Sequence, residues 1–278
     1  MLEYKKRRAD VDWGDSNPLA FTIYENDRQT MSMVKEALSE GRVLLAYQPV
    51  VMAVQHKRIG FYEGLIRVLD KTGRPIPARA FMGAVEAHEI GREIDCASLA
   101  LGLRTLELHP SIRLSINMSA RSIGYPKWVR ILRHYLATEA TLGERLILEI
   151  TETSAMQLPE IVGSFMRQWR AKGVSFAMDD YGSGHISIPQ LKAFDFDILK
   201  IDGKLTRNIH KATEHHDVTA ALLAVAKQFD RLCVAEAVET AEDARWLTSL
   251  GVDMLQGYAF GAPTVKPDWL STPSRKSA

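Results

Sequence analysis

Short apolar runs alternate with longer amphipathic segments from about residue 43 onward. Eight of these runs predict strands, and the six from residue 113 onward carry four to six apolar or β-branched residues, the length of a parallel strand buried on both faces. The runs are VLLAYQPV (43–50), RIGFYEGLIRVL (58–69), RLSINMS (113–119), RLILEITE (145–152), VSFAMDD (174–180), FDILKID (196–202), LCVAEAVE (232–239) and VDMLQGY (252–258).

The segments between these runs have the spacing of amphipathic helices. In PEIVGSFMRQWRAKG (159–173), Ile161, Phe165 and Trp169 recur at helical intervals, and Gly173 is a stop signal. The same criteria predict helices over 126–136, 215–229 and 240–251, and a long helical region from about Ala78 to Leu108.

Strands that alternate with helices predict an α/β fold, and eight such units are most economically a single (β/α)8 barrel similar to a TIM barrel. A doubly wound open sheet is the competing architecture, but the chain has no glycine-rich dinucleotide fingerprint to support it. Barrels of about 250 residues form one domain. We therefore expect one domain over 25–270, a flexible N-terminal tail over 1–24 and a disordered C-terminal tail over 271–278.

Composition excludes several partners and suggests a compartment. The 35 basic and 34 acidic residues nearly cancel to a net charge of +1, so no global field favours duplex nucleic acid or an anionic membrane. No apolar stretch reaches the roughly 18 residues of a membrane span. Cys96 and Cys233 fit no paired-cysteine motif, which is typical of buried thiols in a reducing compartment. These features favour a cytoplasmic location.

Polar side chains recur near the carboxyl ends of the predicted strands. In a barrel, these ends converge on one face, where such folds build their active sites. Any one of these residues alone is explained as an ordinary strand-end residue that bonds a loop. Together, however, at least five carboxylates would repel each other strongly unless protons or cations intervened. The residues are Glu63, Asn117, Glu149, Asp179, Asp180, Lys200, Glu236 and Gln256.

Oxygen ligands without a cysteine or histidine pattern favour Mg²⁺ or Mn²⁺ over zinc. Two such ions would hold a phosphodiester and lower the pKa of a water molecule between them. Lys200 would then position the nucleophile and stabilise developing charge. A Schiff-base role for Lys200 is the alternative, but neighbouring carboxylates oppose the lowered pKa that this chemistry needs.

The order and spacing of these motifs resemble the EAL-domain family of cyclic di-GMP phosphodiesterases from about Glu25 to Pro263. The family is named after the tripeptide Glu-Ala-Leu. In this chain the matching residues are Glu63-Gly64-Leu65, within YEGLIR. YQPV resembles the motif with which the family's pattern opens. Six further motifs match the family's pattern in the same order, namely INMSARS, LEITET, DDYGSGH, LKID, AEAVET and LQGYAF. No single motif is decisive, but their ordered coincidence is highly specific.

The resemblance implies hydrolysis of cyclic di-GMP to linear pGpG, two Mg²⁺ or Mn²⁺ ions, and a barrel whose first strand runs antiparallel. It implies that Glu63, Asn117, Glu149 and Asp179 hold one ion, and that Asp179 bridges to a second ion held by Asp180 and Glu236. The remaining residues that it assigns to catalysis or substrate binding are Lys200, Gln256, Glu152, Gln48, Leu65, Arg67 and Asp202. Of these, Glu152 would steady the loop after Asp180.

Several positions depart from the family's pattern. Gly64 replaces an alanine, which could loosen Glu63, and Ala237 replaces a glycine beside Glu236. The loop after Asp180 is also altered, reading YGSGHI over 181–186. A catalytically weak or inactive domain that acts as a cyclic di-GMP receptor or protein-interaction module is therefore the alternative function. The resemblance also implies a homodimer, and a regulatory protein partner is a further possibility.

Overall fold

A computed structural model of the chain describes residues 18–139, 141–184 and 186–270. Nine strands form one sheet, in which β1 and β2 also pair with each other and so close a barrel. Eight strands make the barrel, and β3 pairs antiparallel with the last three residues of β2. The strands are β1 Val43–Met52, β2 Gln55–Leu69, β3 Pro75–Pro77, β4 Leu114–Asn117, β5 Leu146–Thr151, β6 Ser175–Tyr181, β7 Ile198–Ile201, β8 Leu232–Ala235 and β9 Met254–Gln256.

The direction of the first strand confirms the expected modification of the barrel. β1 pairs antiparallel with both β2 and β9, whereas β2 and β4 to β9 pair in parallel around the rest of the barrel. A hairpin of two residues joins β1 to β2, because antiparallel neighbours need no crossover connection. The predicted barrel class is therefore correct.

Helices surround the barrel and bury their apolar faces against its outer surface. The predicted helices at 126–136, 159–173, 215–229 and 240–251 are confirmed as α4, α7, α10 and α11 of the following set. The helices are α1 Pro18–Ser39, α2 Met82–Val85, α3 Glu89–Leu108, α4 Pro126–Thr138, α5 Leu142–Arg145, α6 Glu152–Gln157, α7 Pro159–Arg170, α8 Ile188–Ala193, α9 Gly203–Thr206, α10 His216–Gln228 and α11 Ala241–Leu250. No helix in these ranges is long and apolar enough to cross a bilayer.

The prediction of one helical region from Ala78 to Leu108 is wrong in its continuity. A short 3-10 helix over Ala78–Ala80, α2 and α3 share this segment, and His88 has an extended backbone that separates α2 from α3. A Cβ at Gly91 would lie 2.8 Å from the carbonyl oxygen of Glu86. The start of α3 therefore packs directly on the end of α2.

The sequence did not predict α1 or β3. α1 contacts α2, α3 and β2, and it buries Val34 and Ala37 completely. Its first residues lie within the 1–24 segment for which a tail was predicted. The rest of that segment, over 1–17, and the predicted C-terminal tail over 271–278 lie outside the described residues.

The barrel interior has an apolar layer beneath the carboxyl-end face. Its buried members are Val50, Phe61, Ile147, Ala177, Ile198, Val234 and Met254. Side chains two residues apart along a strand point to the same side of the sheet. The next inward layer toward the carboxyl-end face therefore consists of the residues two positions away from each member.

Candidate active site

The second inward layer contains seven residues that the sequence predicted as site residues, namely six of the strand-end residues and Gln48 of β1. In the parallel strands each lies two residues after a member of the apolar layer, and in antiparallel β1 the site residue lies two residues before it. These residues are Gln48, Glu63, Glu149, Asp179, Lys200, Glu236 and Gln256. The alternation of the strands and the closure of the barrel thus bring together residues from seven strands or strand ends.

Lys200 lies at the centre of this layer. Its ammonium nitrogen is 2.7 Å from Oε1 of Glu236, 2.8 Å from Oε2 of Glu149, 3.0 Å from Oδ1 of Asp179 and 3.3 Å from Oε2 of Glu63. Its side chain is fully buried. One cation therefore faces four carboxylates within the barrel mouth.

Amide side chains complete the surroundings of Glu63. Nδ2 of Asn117 donates to Oε1 of Glu63 at 2.7 Å, and Nε2 of Gln256 donates to Oε2 at 2.6 Å. The same Gln256 nitrogen is 3.3 Å from Oε1 of Gln48, whose own amide nitrogen donates to the carbonyl oxygen of Gly261. Glu63 is therefore held from both sides.

Burial and charge shift the pKa values of this cluster in different directions. Burial, together with repulsion from Glu63, raises the pKa of Glu149 to about 8. Burial and the charge of Asp179 hold the pKa of Glu236 well above its usual range. Burial alone would lower the pKa of Lys200, but the four carboxylates raise it well above its ordinary value. For Glu63, Lys200 and the amide donors outweigh burial, so its pKa is lowered.

The cluster has more negative charge than one lysine balances, and this excess suits divalent cations. Among the described residues, Oε1 of Glu149 is buried without a hydrogen-bond partner, and Oδ1 of Asp179 has no hydrogen bond beyond its ion pair with Lys200. Buried, unpartnered carboxylate oxygens are the hard ligands that Mg²⁺ and Mn²⁺ prefer. Across the described residues, no three acidic, histidine or cysteine side chains are already placed around a single metal position. The donor types fit two such ions, although Lys200 now lies between the carboxylates.

Asp180 is set apart from the Lys200 cluster. It follows Asp179 on β6 with a backbone φ of 55°, in the left-handed region, and its side chain is half-buried. Burial and the charge of Asp179 raise its pKa. The left-handed backbone coincides with a register shift between Met178 and Tyr181 in the pairing with β7, so the regular alternation of β6 is interrupted at Asp180.

Glu152 organises the loop that follows Asp180. It is fully buried at the start of α6, and its carboxylate accepts hydrogen bonds from the backbone N–H groups of Gly182 at 2.9 Å and Ile186 at 2.7 Å. Two bonds to backbone donors four residues apart hold both ends of the loop. This geometry matches the steadying role that the resemblance implied for Glu152.

Gly64 is closely packed in the sheet. The sequence had suggested instead that a glycine at this position could loosen the neighbouring Glu63. It pairs with Tyr47 on β1 and with Ile116 on β4, so both of its sides lie within the sheet. A Cβ at this position would lie 2.7 Å from Cδ1 of Ile116, a distance that real side chains do not adopt. The Ile116 side chain therefore fills the space that an alanine methyl would use.

Two cavities flank Glu63 and Leu65 on this face. One has a volume of about 290 Å³ and extends past Asn117 and Asp179. The other has a volume of about 230 Å³ and is lined by Gln48, Glu236, Gln256 and Tyr258 among others. Leu65 and Glu63 line both cavities. The predicted site residues thus lie between two recesses rather than in one.

Two predicted substrate contacts are engaged elsewhere in this structure. Nη1 of Arg67 donates to the carbonyl oxygen of Ile66 at 2.9 Å, and burial lowers the pKa of its guanidinium. Asp202 is buried and caps α9 by accepting from the backbone N–H of Lys204 at 2.9 Å. Neither residue lines the two cavities.

The closed eight-stranded barrel has an antiparallel first strand and an acidic carboxyl-end face around a buried lysine, and these features place the protein in a class of modified α/β barrels with an acidic site at the strand ends. The family model described as the EAL domain matches residues 31–263. The chain belongs to the EAL domain family.

Proteins with this domain include named cyclic di-GMP phosphodiesterases. The chain is 28% identical over 253 residues to the cyclic di-GMP phosphodiesterase PdeB of Shewanella oneidensis, an alignment that covers 90% of the chain and 30% of PdeB. It is 31% identical over 249 residues to the probable cyclic di-GMP phosphodiesterase PdeN of Escherichia coli, covering 86% of the chain and 48% of PdeN. The chain therefore spans less than half the length of these curated relatives.

Solved structures confirm the fold. The PaMucR phosphodiesterase in complex with c-di-GMP superposes with a TM-score of 0.75 at 26% identity, over 88% of this chain and 100% of the other. The FimX EAL domain of Xanthomonas citri in complex with c-diGMP gives a TM-score of 0.77 at 25% identity, over 89% and 99% of the two chains.

Proposed function

We propose that the protein is a metal-dependent phosphodiesterase that hydrolyses cyclic di-GMP to linear pGpG. The observation that carries this proposal is the buried cluster of Glu63, Glu149, Asp179 and Glu236 around Lys200, at the junction of two cavities. Its support also comes from relatives that are named for this activity and from structural neighbours that bind the dinucleotide. In the reaction, water adds to phosphorus, one P–O3′ bond breaks, and the product has a 3′-hydroxyl and a 5′-phosphate.

The proposed metal ligands follow from the acidic layer. Glu63, Asn117, Glu149 and Asp179 would hold one Mg²⁺ or Mn²⁺ ion, and Asp179, Asp180 and Glu236 would hold the second. Bound ions of this kind neutralise phosphate charge and lower the pKa of a water molecule. Asn117 would need to turn its amide, because it now directs nitrogen rather than oxygen toward Glu63.

The remaining residues of the face would bind and orient the substrate. The two cavities on either side of Leu65 suit a ligand with two bases, one in each recess. Gln48 and Gln256 would position the reacting phosphodiester and water by hydrogen bonds, since both line the second cavity. Lys200 would place a positive charge beside the developing negative charge. Arg67 and Asp202 would contact substrate only after exchanging their present backbone partners.

The direct test is to incubate the purified protein with cyclic di-GMP and Mg²⁺ or Mn²⁺ and to quantify pGpG. We expect turnover that chelation abolishes and that Glu63→Ala reduces by at least about a hundredfold, since this change removes both a proposed ligand and a partner of Lys200. Glu107→Ala is the matched control, because Glu107 is exposed on α3, away from the site.

The same experiment separates the enzyme from the receptor. A folded sample that binds cyclic di-GMP but forms no pGpG with either ion would refute the enzymatic proposal and establish the receptor function. Folding is checked by a cooperative thermal transition, and binding by calorimetry. A sample that neither binds nor hydrolyses the dinucleotide would refute both functions.

We further propose a homodimer that forms through the face beside the Glu152-anchored loop. Ile188 and Val218 are 57% and 46% exposed there and border an apolar groove with Leu222. Burial of such a groove against a second copy would remove apolar surface from water. Light scattering of the protein and of Ile188→Glu tests this assembly, and a monomer at all concentrations would refute it.

A further inference from the structure

The loop that carries Glu236 contains an unfavourable backbone conformation. Ala237 has a φ of 49°, in the left-handed region, which is unfavourable for a residue with a Cβ. Such a conformation persists only where its surroundings impose it. The position directly follows a carboxylate that lies 2.7 Å from Lys200.

A buried hydroxyl fixes the peptide group at this point. Thr206, the last residue of α9, has no exposed surface, and its Oγ1 donates a hydrogen bond to the backbone carbonyl oxygen of Glu236. This carbonyl belongs to the peptide plane between Glu236 and Ala237. Rotation of that plane would let Ala237 leave the left-handed region, but it would also break the bond to Thr206.

Neighbouring residues shape the space around this peptide group. A Cβ at Gly203 would lie 2.8 Å from the Ala237 methyl group, so the glycine makes room for the alanine. On the other side, the backbone N–H of Val238 donates to the carbonyl oxygen of Gln256 at 3.0 Å. The loop is thus held at Glu236 by α9 and at Val238 by β9.

We propose that Thr206 is a positioning residue that keeps the Glu236 carboxylate in place by holding the main chain beneath it. The inference rests on the proposed function in one respect, namely that Glu236 is a metal ligand. Thr206 itself contacts neither substrate nor metal. Its hydroxyl acts through the Glu236 carbonyl, and the hydrogen bond balances the strain at Ala237.

The chain offers matched variants for testing this role. Thr206→Val removes the hydroxyl and keeps the branched shape, whereas Thr206→Ser keeps the hydroxyl and removes a methyl group. Thr219→Val is the control, because Thr219 is equally buried and its hydroxyl has no hydrogen-bond partner in the part of the chain that the structure describes. Should Thr206→Val not fold, Thr206→Ala and Thr206→Ser form a second pair that differs by the hydroxyl.

The measurement is Mn²⁺ binding, which is detected through the electron paramagnetic resonance signal of the free ion. This measurement requires no turnover. Loss of a group that orients a metal ligand typically weakens metal affinity by about 10–100-fold. We expect a loss of this size for one of two ions in Thr206→Val, whereas Thr206→Ser and Thr219→Val should bind like the unsubstituted protein. Thermal unfolding of the same samples confirms that the loss is not one of folding.

The outcomes separate the inference from the proposed function. Unchanged Mn²⁺ affinity in Thr206→Val, or an equal loss in Thr206→Ser, would overturn the positioning role while the phosphodiesterase proposal stands. Unsubstituted protein that binds no Mn²⁺ would overturn the proposed function and, with it, the role assigned to Thr206.

Discussion

The ammonium nitrogen of Lys200 lies 2.8 Å from Oε2 of Glu149, and both side chains are completely buried. Removing one partner of a buried ion pair leaves an uncompensated charge and is strongly destabilising. Here the lysine faces three further carboxylates, so its loss would leave four acidic groups together in the barrel mouth. Lys200 therefore stabilises the metal-free state of the site.

We expect Lys200→Met to lower the free energy of unfolding of the metal-free protein by about 3–5 kcal/mol, the usual effect of breaking a buried pair. Mg²⁺ or Mn²⁺ should restore much of this loss, because the ions would take over the neutralising role. Chemical denaturation in chelator and in excess metal measures both effects.

Lys204→Met is the matched control, since the Lys204 side chain is 87% exposed and lies 3.5 Å from Asp202. An exposed ion pair contributes at most about 1 kcal/mol. The role of Lys200 would be refuted if Lys200→Met were no less stable than Lys204→Met in chelator.

A second prediction concerns Gly64 and Ile116. Gly64→Ala restores the family's tripeptide but places a methyl group 2.7 Å from Cδ1 of Ile116, so we expect a loss of about 1–3 kcal/mol from overpacking. Ile116→Val removes that Cδ1 atom and should cost about 0.5–1.5 kcal/mol alone. The double variant should be more stable than the sum of the single effects predicts, because the clash is then absent.

Urea denaturation of the four proteins measures this coupling. Gly83→Ala is the control for a glycine in open space, since Gly83 lies within α2 and no other described residue has an atom within 4 Å of an added Cβ, apart from its chain neighbours and the helix backbone. That change should stabilise the protein by up to about 1 kcal/mol. Additive effects of Gly64→Ala and Ile116→Val would contradict the packing explanation.

The sequence predicted where the strand-end residues lie in the fold, because two simple periodicities act there. Strand alternation and the convergence of strand ends follow from backbone geometry, so Glu63, Glu149 and Lys200 were predicted from position alone. The antiparallel direction of β1 followed only from the family resemblance. The same hydrophobic pattern suits either strand direction, because an inward-facing layer alternates identically in both.

Other features depend on contacts that no local pattern records. The break at His88 arises where Gly91 packs on the carbonyl oxygens that end α2, and α1 is stabilised by tertiary packing of residues such as Val34. Thr206 also gave no signal, since its role comes from a bond to a residue 30 positions away. Asp202 was predicted as a substrate contact, but a strand-end aspartate can equally cap the following helix.

A third prediction concerns the anchor of the loop after Asp180. Glu152→Gln replaces one acceptor oxygen with an NH₂ group that would face a backbone N–H of Gly182 or Ile186. An unsatisfied buried donor costs about 1–3 kcal/mol. We expect faster amide hydrogen exchange at Gly182 and Ile186. We also expect lower activity in the proposed reaction, because the loop directly follows Asp180 at the end of β6.

Glu160→Gln provides the comparison, since Glu160 is exposed in the first turn of α7. It should change neither exchange at the two amides nor activity. Unchanged exchange in Glu152→Gln would show that the carboxylate does not hold the loop.

The last prediction concerns a buried acid outside the Lys200 cluster. Asp95 on α3 accepts from Oγ of Ser122 at 2.5 Å and from the backbone N–H of Ser119 at 3.0 Å, in the turn after Asn117. Burial raises its pKa from 3.8 to about 7. Because the folded state binds this proton more tightly than the unfolded state, the contribution of Asp95 to stability falls as pH rises from about 4 to about 7 and then levels off.

Asp95→Asn removes this titration while keeping an acceptor for the Ser119 amide. As the pH rises from 5 to 8, the unsubstituted protein passes through about two pH units in which Asp95 is protonated only in the folded state. Its free energy of unfolding therefore falls by about 2–3 kcal/mol over this range. The free energy of unfolding of Asp95→Asn, relative to the unsubstituted protein, should therefore rise by about that amount from pH 5 to pH 8. Denaturant titrations at several pH values in chelator measure it, with Asp230→Asn as the exposed-loop control. A constant difference across this range would show that Asp95 is ionised in the folded protein throughout, held by its two donors.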